Sequence, residues 1–163
     1  MKYCDMSKNK FIVVFFIICS LQISCGFQLR KPISVNYESY SIIGDSTAIT
    51  QNIKKQFSYG KIAEEKSGNG ELVIEILENN FNKRILSLAG NGQVGEFELI
   101  QTVSYRIKAN DKWSNERRLE AIREYTYDPA LYNAAAAEES ILKDSMVEQI
   151  SRSIITEINN LDK

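Results

Sequence analysis

The chain has no histidine. Histidine is the side chain that changes charge near neutral pH, the usual general base of nucleophilic triads and the commonest metal ligand. Without it most centres of those kinds cannot be built. An excess of either charge is also missing. Twenty basic and 21 acidic residues leave a net charge of −1, so there is no electrostatic footprint for nucleic acid. There is no low-complexity linker and no internal repeat, and no cofactor is expected. Cysteine is scarce, with Cys4, Cys19 and Cys25 only. Long apolar runs are scarce too. Phe11–Ile18 is uninterrupted, but Ser20, Gln22 and Ser24 follow it closely, and a membrane span needs about 20 apolar residues.

What is present at the start is an export signal. Lys2, Lys8 and Lys10 make a basic opening, Phe11–Ile18 is a short apolar core, and small or apolar residues lead to Cys25. These are the three parts of a secretion signal. Ile23, Ser24 and Cys25 resemble a bacterial lipoprotein processing site. The position three before the cysteine, usually leucine, is Gln22, with Leu21 one step further back. Residues 1–24 are therefore expected to be a lipoprotein signal peptide, and Cys25 the lipid attachment site. Cleavage removes Cys4 and Cys19, and acylation consumes Cys25. The mature chain then has no disulfide and rests on its core. Residues 25–163 suit a single domain, with 17 basic and 20 acidic residues once Lys2, Lys8, Lys10 and Asp5 are gone.

Within that domain, Ile33, Val35 and Tyr37 alternate with polar residues, which predicts a strand running to Ile43. Asp45 or Ser46 is expected to cap a helix bearing Ile49, Ile53 and Phe57 on one face and stopping at Gly60. Leu72, Ile74 and Ile76 open a second strand, continued by Leu86 and Leu88 with a bulge or bend near Phe81. Gly90, Asn91 and Gly92 supply a hairpin turn. In the third strand Phe97, Leu99, Val103, Tyr105 and Ile107 face one way. Glu96, Glu98, Thr102, Ser104 and Arg106 face the other, with Gln101 and Ile100 the exceptions. Asn110–Asp111 turns the chain into a fourth strand, Leu119–Tyr127. Asp128 then caps and Pro129 begins a long helix to about residue 160. Leu142, Met146, Ile150, Ile154 and Ile158 make a slanted apolar stripe along it. The expected fold is α+β: a two-layer sandwich, two helices on a four-stranded, mostly antiparallel or mixed sheet, in the order β-α-β-β-β-α.

Chemistry is thin. Gly90, Gly92 and Gly95 match the dinucleotide spacing, but they open a strand, whereas the phosphate site needs a helix N-terminus after the glycines. Adjacent carboxylates at Glu64–Glu65 and Glu138–Glu139 point about 100° apart on a helix and read as solvated surface. Tyr125 and Tyr127 share a strand face and read as core or interface.

The run Cys25, Gly26, Phe27, Gln28, Leu29, Arg30 resembles the start of mature LptE-type LPS-assembly lipoproteins. The resemblance extends through Asn91, Gly92, Gln93 and Glu96–Leu99. It resumes at Arg123–Pro129 and the alanine-rich helix after it, and so spans essentially the whole mature chain. It implies a non-enzymatic outer-membrane lipoprotein held by N-terminal acyl chains, palmitate among them. Such a protein sits on the periplasmic side within the lumen of the LptD β-barrel as a plug, helps assemble that barrel, and serves LPS transport into the outer leaflet. Gly26 fits that destination, since aspartate after the cysteine is the usual inner-membrane retention signal. The resemblance places basic LPS-contact residues at the hairpin tip and at the start of the last helix. The matching positions here are Gly90 and, within one residue, Ala135, both uncharged. Lys83, Arg84 and Arg106 are the candidates in their place. Asn91, Gly92, Glu96, Glu98, Thr102 and Ser104 are the candidates for the partner interface. The alternative function is a generic periplasm-facing ligand-binding lipoprotein. A hydrolase is disfavoured by the missing histidine.

Overall fold

The computed structural model describes residues 36–45, 47–66 and 68–161, all within one compact unit that begins at Pro32. Residues 1–24, expected to be the signal peptide, and Cys25, Ile33, Val35 and Ser46 lie outside the described residues. The first strand, β1 (Ser39–Ile43), ends where Gly44 takes a φ of +126°. A Cβ on Gly44 would also stand 2.9 Å from the Ile76 carbonyl oxygen. This turn delays the helix α1 (Ala48–Tyr59), whose cap is Thr47, rather than Asp45 or Ser46. Thr47 is the last extended residue, and it and Thr50 each accept the other's backbone N–H through the hydroxyl oxygen. Asp45 contributes only its carbonyl, to the Thr50 hydroxyl at 3.4 Å. At the other end Gly60 caps as expected, but the left-handed residue is Lys61, at φ 59°. Lys61 and Ile62 donate their N–H groups to the carbonyls of Ser58 and Phe57, closing the last turn.

Four long elements make up most of the remaining chain. β3 (Leu72–Leu88) pairs antiparallel with β4 (Val94–Ala109), and β6 (Arg117–Thr126) pairs antiparallel with the other edge of β4. α2 (Tyr132–Leu161) then crosses the sheet after a single 3₁₀ turn, Pro129–Leu131, with Asp128 accepting the Ala130 N–H at 2.9 Å. β1 lies parallel on β3 opposite Leu72–Glu75. Two further strands are only two residues long. β2 (Ala63–Glu64) is parallel to β1, and β5 (Lys112–Trp113) folds back on the end of β4 through Asn110 and Asp111, both at positive φ. The sheet thus has six strands, in the order β2-β1-β3-β4-β5, with β6 also on β4. The two-layer α+β arrangement is as expected, and the count exceeds four because two residues are too few to show alternation.

β3 is continuous through Asn79 and Asn80. Its bulge falls at Leu77, between the paired residues Ile76 and Glu78, earlier than Phe81. One inserted residue reverses the parity of a strand. Leu72, Ile74 and Ile76 therefore share the helix side with Phe81, Lys83 and Ile85, and Leu86 does not continue their row. A second shift follows between Ile85 and Ser87. The hairpin closes with the Ala89 N–H donating to the Gln93 carbonyl and the Gly92 N–H to the Ala89 carbonyl, and only Gly92 of its two turn glycines sits at positive φ (+81°).

The core lies between sheet and helices. Met146, Ile150, Ile154 and Ile158 of α2 are buried, with Leu142 at the margin. They meet Ile49, Ile53 and Phe57 of α1 and the helix-side residues Leu99, Val103, Tyr105 and Ile107. The Ser151 hydroxyl reaches the Ile49 carbonyl at 3.5 Å where the two helices meet. Gln101, the polar interruption on this side, donates to Asn79 and to the Asn80 carbonyl beside the bulge.

Candidate partner surface and the brace beneath it

The sheet face away from the helices is polar and internally paired. Arg84 lies across from Glu98 and bonds it, and Arg106 does the same with Glu75. Arg106 also lies over the Trp113 ring at 4.4 Å. Glu96 accepts from the Ser87 hydroxyl at 2.6 Å, and Thr102 faces Glu120. β4 is flanked on both edges, so its own short side chains are covered. Glu98, Thr102 and Ser104 are 6%, 7% and 4% exposed. What a partner meets first on this face is the outer ring of β3 and β6 side chains, with Ile100 and Ile122 paired in the middle. Asn91 and Gly92 stand exposed at the hairpin tip, and a Cβ on Gly92 would meet nothing within 4 Å.

The three basic candidates are not brought together. Lys83 is on the helix side of the sheet, while Arg84 and Arg106 are on the other. Arg106 stands eight residues along β4 from Glu98, the partner of Arg84, about 27 Å at about 3.4 Å per residue. The Arg84 side chain is 61% exposed and Arg106 41%. The hydrogen bond to Glu98 leads the causes that raise the Arg84 pKa further.

Lys83 belongs to a cluster that sequence reasoning did not assemble. Its ammonium donates to Glu139 at 2.6 Å and to the Tyr125 hydroxyl at 2.8 Å, and lies 4.0 Å above the Phe97 ring. Glu139 also accepts from the Tyr125 hydroxyl at 2.7 Å and pairs with Lys143 at 2.6 Å. Lys143 in turn sits over Phe81. One carboxylate on α2 thus ties down the free half of β3 and the end of β6. The hydrogen bonds from Lys143 and then Lys83 hold the Glu139 carboxyl down at about 2. Burial works against the Lys83 charge, but the bonds to Glu139 and Tyr125 outweigh it and its pKa is raised. Burial pushes the Tyr125 hydroxyl up. The available signals were the Glu139–Lys143 spacing of four on a helix and, had the bulge been placed, the parity of Lys83.

An open groove of about 590 Å³ lies between α2 and the start of β6, lined by Arg117, Gln149, Arg152, Ser153, Thr156 and Glu157 among others. Glu157 faces inward, accepting the Tyr105 hydroxyl at 2.5 Å and pairing with Arg117. Burial first, then that bond, raises the Tyr105 pKa. Among the described residues no three potential metal ligands cluster, and no helix is long and apolar enough to cross a membrane.

Solved structures share this architecture. An uncharacterized lipoprotein B from Nitrosomonas europaea is 26% identical, with a TM-score of 0.70 over 84% of this chain and 92% of that one. The rare lipoprotein B from Shewanella oneidensis is 20% identical, with a TM-score of 0.63 over 77% of this chain and 99% of that one. A minor lipoprotein from Acinetobacter baumannii is 20% identical, with a TM-score of 0.62 over 78% and 95%. No curated protein sequence matches significantly. The lipopolysaccharide-assembly family LptE matches residues 31–158, from before β1 to the last turns of α2. With that match covering nearly all of the described fold, the chain belongs to the LptE family of lipopolysaccharide-assembly proteins.

Proposed function

We propose that this protein is an outer-membrane lipoprotein, acylated at Cys25, that plugs the LptD barrel, assists its assembly and so serves LPS insertion into the outer leaflet. The observation that carries this reading is the family match over residues 31–158. The surface chemistry agrees with it. A barrel lumen is polar, and the outward sheet face offers paired charges and amides with few apolar side chains. The protein works by filling and ordering the barrel, with no chemistry of its own. Of the basic candidates we take Arg84, the most exposed of the three, as the contact for an LPS phosphate.

Depletion tests the reading. Loss of the protein is expected to lower the amount of correctly assembled LptD and to weaken the LPS permeability barrier, and the full-length lipoprotein is expected to co-purify with LptD from outer membranes. A protein that purifies as a free monomer, and whose loss leaves surface LPS intact, would instead be a periplasm-facing ligand-binding lipoprotein.

A further inference from the structure

Most of one edge of β3 has no strand beside it among the described residues. β1 occupies that edge only opposite Leu72–Glu75, and Gly44 then turns the chain away. Between the shifts at Ile76/Glu78 and Ile85/Ser87, residues 78–85 keep a regular ladder with β4 on the inner edge. Their outer edge presents backbone N–H and C=O groups in a row. Phe81 and Ile85 on this stretch, and Leu77, Leu86 and Leu88 just beyond its ends, are each at least 40% exposed.

Folded proteins blunt such edges with charge, proline or a covering element. The open edge of β6 is defended in this way, by exposed Arg118, Glu120 and Glu124. β3 contains no proline. Its lysine is drawn to the helix side by Glu139 and Tyr125, and its arginine lies over Glu98. Neither stands guard at the edge, and the one exposed acid of the stretch, Glu78 at its start, is bonded by the Asn80 amide.

We infer that residues 78–85 of β3 accept an extended segment of the barrel partner by strand addition. This rests on the plug reading above. Size decides the occupant. Eight residues span about 27 Å, and a sheet edge about 10 Å thick then buries roughly 540 Å² in total. A stable pair of free proteins needs about 1,200 Å² or more, so a second copy docked through this edge alone falls short. A segment of a protein that already holds the plug elsewhere does not need that area, because its docking is effectively intramolecular. Strands of a closed barrel wall have both edges occupied. The segment is therefore a loop or extension that reaches the plug. It carries apolar side chains against Phe81 and Ile85.

Photocrosslinking in the full-length chain, co-expressed with LptD, tests this. A benzophenone amino acid is placed singly at Asn80, Asn82, Arg84 and Leu86, with Glu124 on β6 as the control. The expected result is crosslinks to one LptD segment outside the wall strands, stepping along it as the probe steps along β3, with none from Glu124 to that segment. Amide exchange at residues 78–85 should slow at least about tenfold in the complex, as expected for newly paired backbone. Crosslinks to a second copy, or to the first 35 residues of the chain itself, overturn the inference. So does LptD that co-purifies without crosslinks from β3, an outcome that leaves the plug reading standing. Absence of LptD from the purified material overturns both.

Discussion

Glu139 is the residue on which the free half of β3 depends, since one carboxylate collects Lys83, Lys143 and the Tyr125 hydroxyl. Its carboxyl sits near 2, below the ordinary 4.5. A carboxyl harder to protonate in the folded chain stabilises it fully above the unfolded pKa and loses that contribution as pH falls through the folded one. Glu139→Gln should therefore cost about 1–3 kcal/mol near neutral pH, the scale of hydrogen bonds to a charged group. The difference from wild type should fade between about pH 4.5 and pH 2. Denaturant titrations at pH 7, 4 and 2 measure this, and an equal deficit at all three would show that the charge is not what matters. The sequence showed Lys83 and Glu139 as charged residues 56 positions apart and gave no reason to join them. A single inserted residue at Leu77 decides which side of the sheet Lys83 faces, and a bulge leaves no pattern in composition.

Elements with long, regular patterns were legible, and those without were not. The α2 stripe, the β4 alternation and the Asp128–Pro129 start all follow from period and capping chemistry. β2 and β5 are held by neighbouring strands rather than by their own residues, so nothing in Ala63–Glu64 or Lys112–Trp113 announced them. The α1 cap moved to Thr47 because Gly44 must first clear Ile76, a contact between segments distant in sequence. Ile150 lies at 1% exposure in the middle of the α2 stripe, so Ile150→Ala should cost about 2–5 kcal/mol. An unchanged unfolding midpoint in that variant would mean the stripe faces a partner and not the sheet.

At the scale of the molecule, the α+β class and the two-helix layer were readable because six long stretches each announced themselves. The outward surface was less so, because whether a polar side chain is covered depends on what stands on the flanking strands. Glu98, Thr102 and Ser104 read as exposed from alternation alone, yet β3 and β6 close over them. The proposed membrane attachment belongs to this scale as well. Cys25→Ala should give an unprocessed precursor without incorporated fatty acid, measured by labelled palmitate and gel mobility. A membrane-bound form of mature size would exclude Cys25 as the anchor, since stable anchoring takes more than one acyl chain. The bond between Ser151 and Ile49 joins residues 102 positions apart, and that separation sets an order in time. The β3–β4 hairpin can form as soon as it is made, because its partners are neighbours in the chain. α1 has that option only in part. Phe57 finds Tyr40 nearby in the chain, but Ile49 and Ile53 have to wait for α2, so until nearly the last residue is made the chain carries a half-covered apolar helix, open to whichever chaperone or surface meets it first.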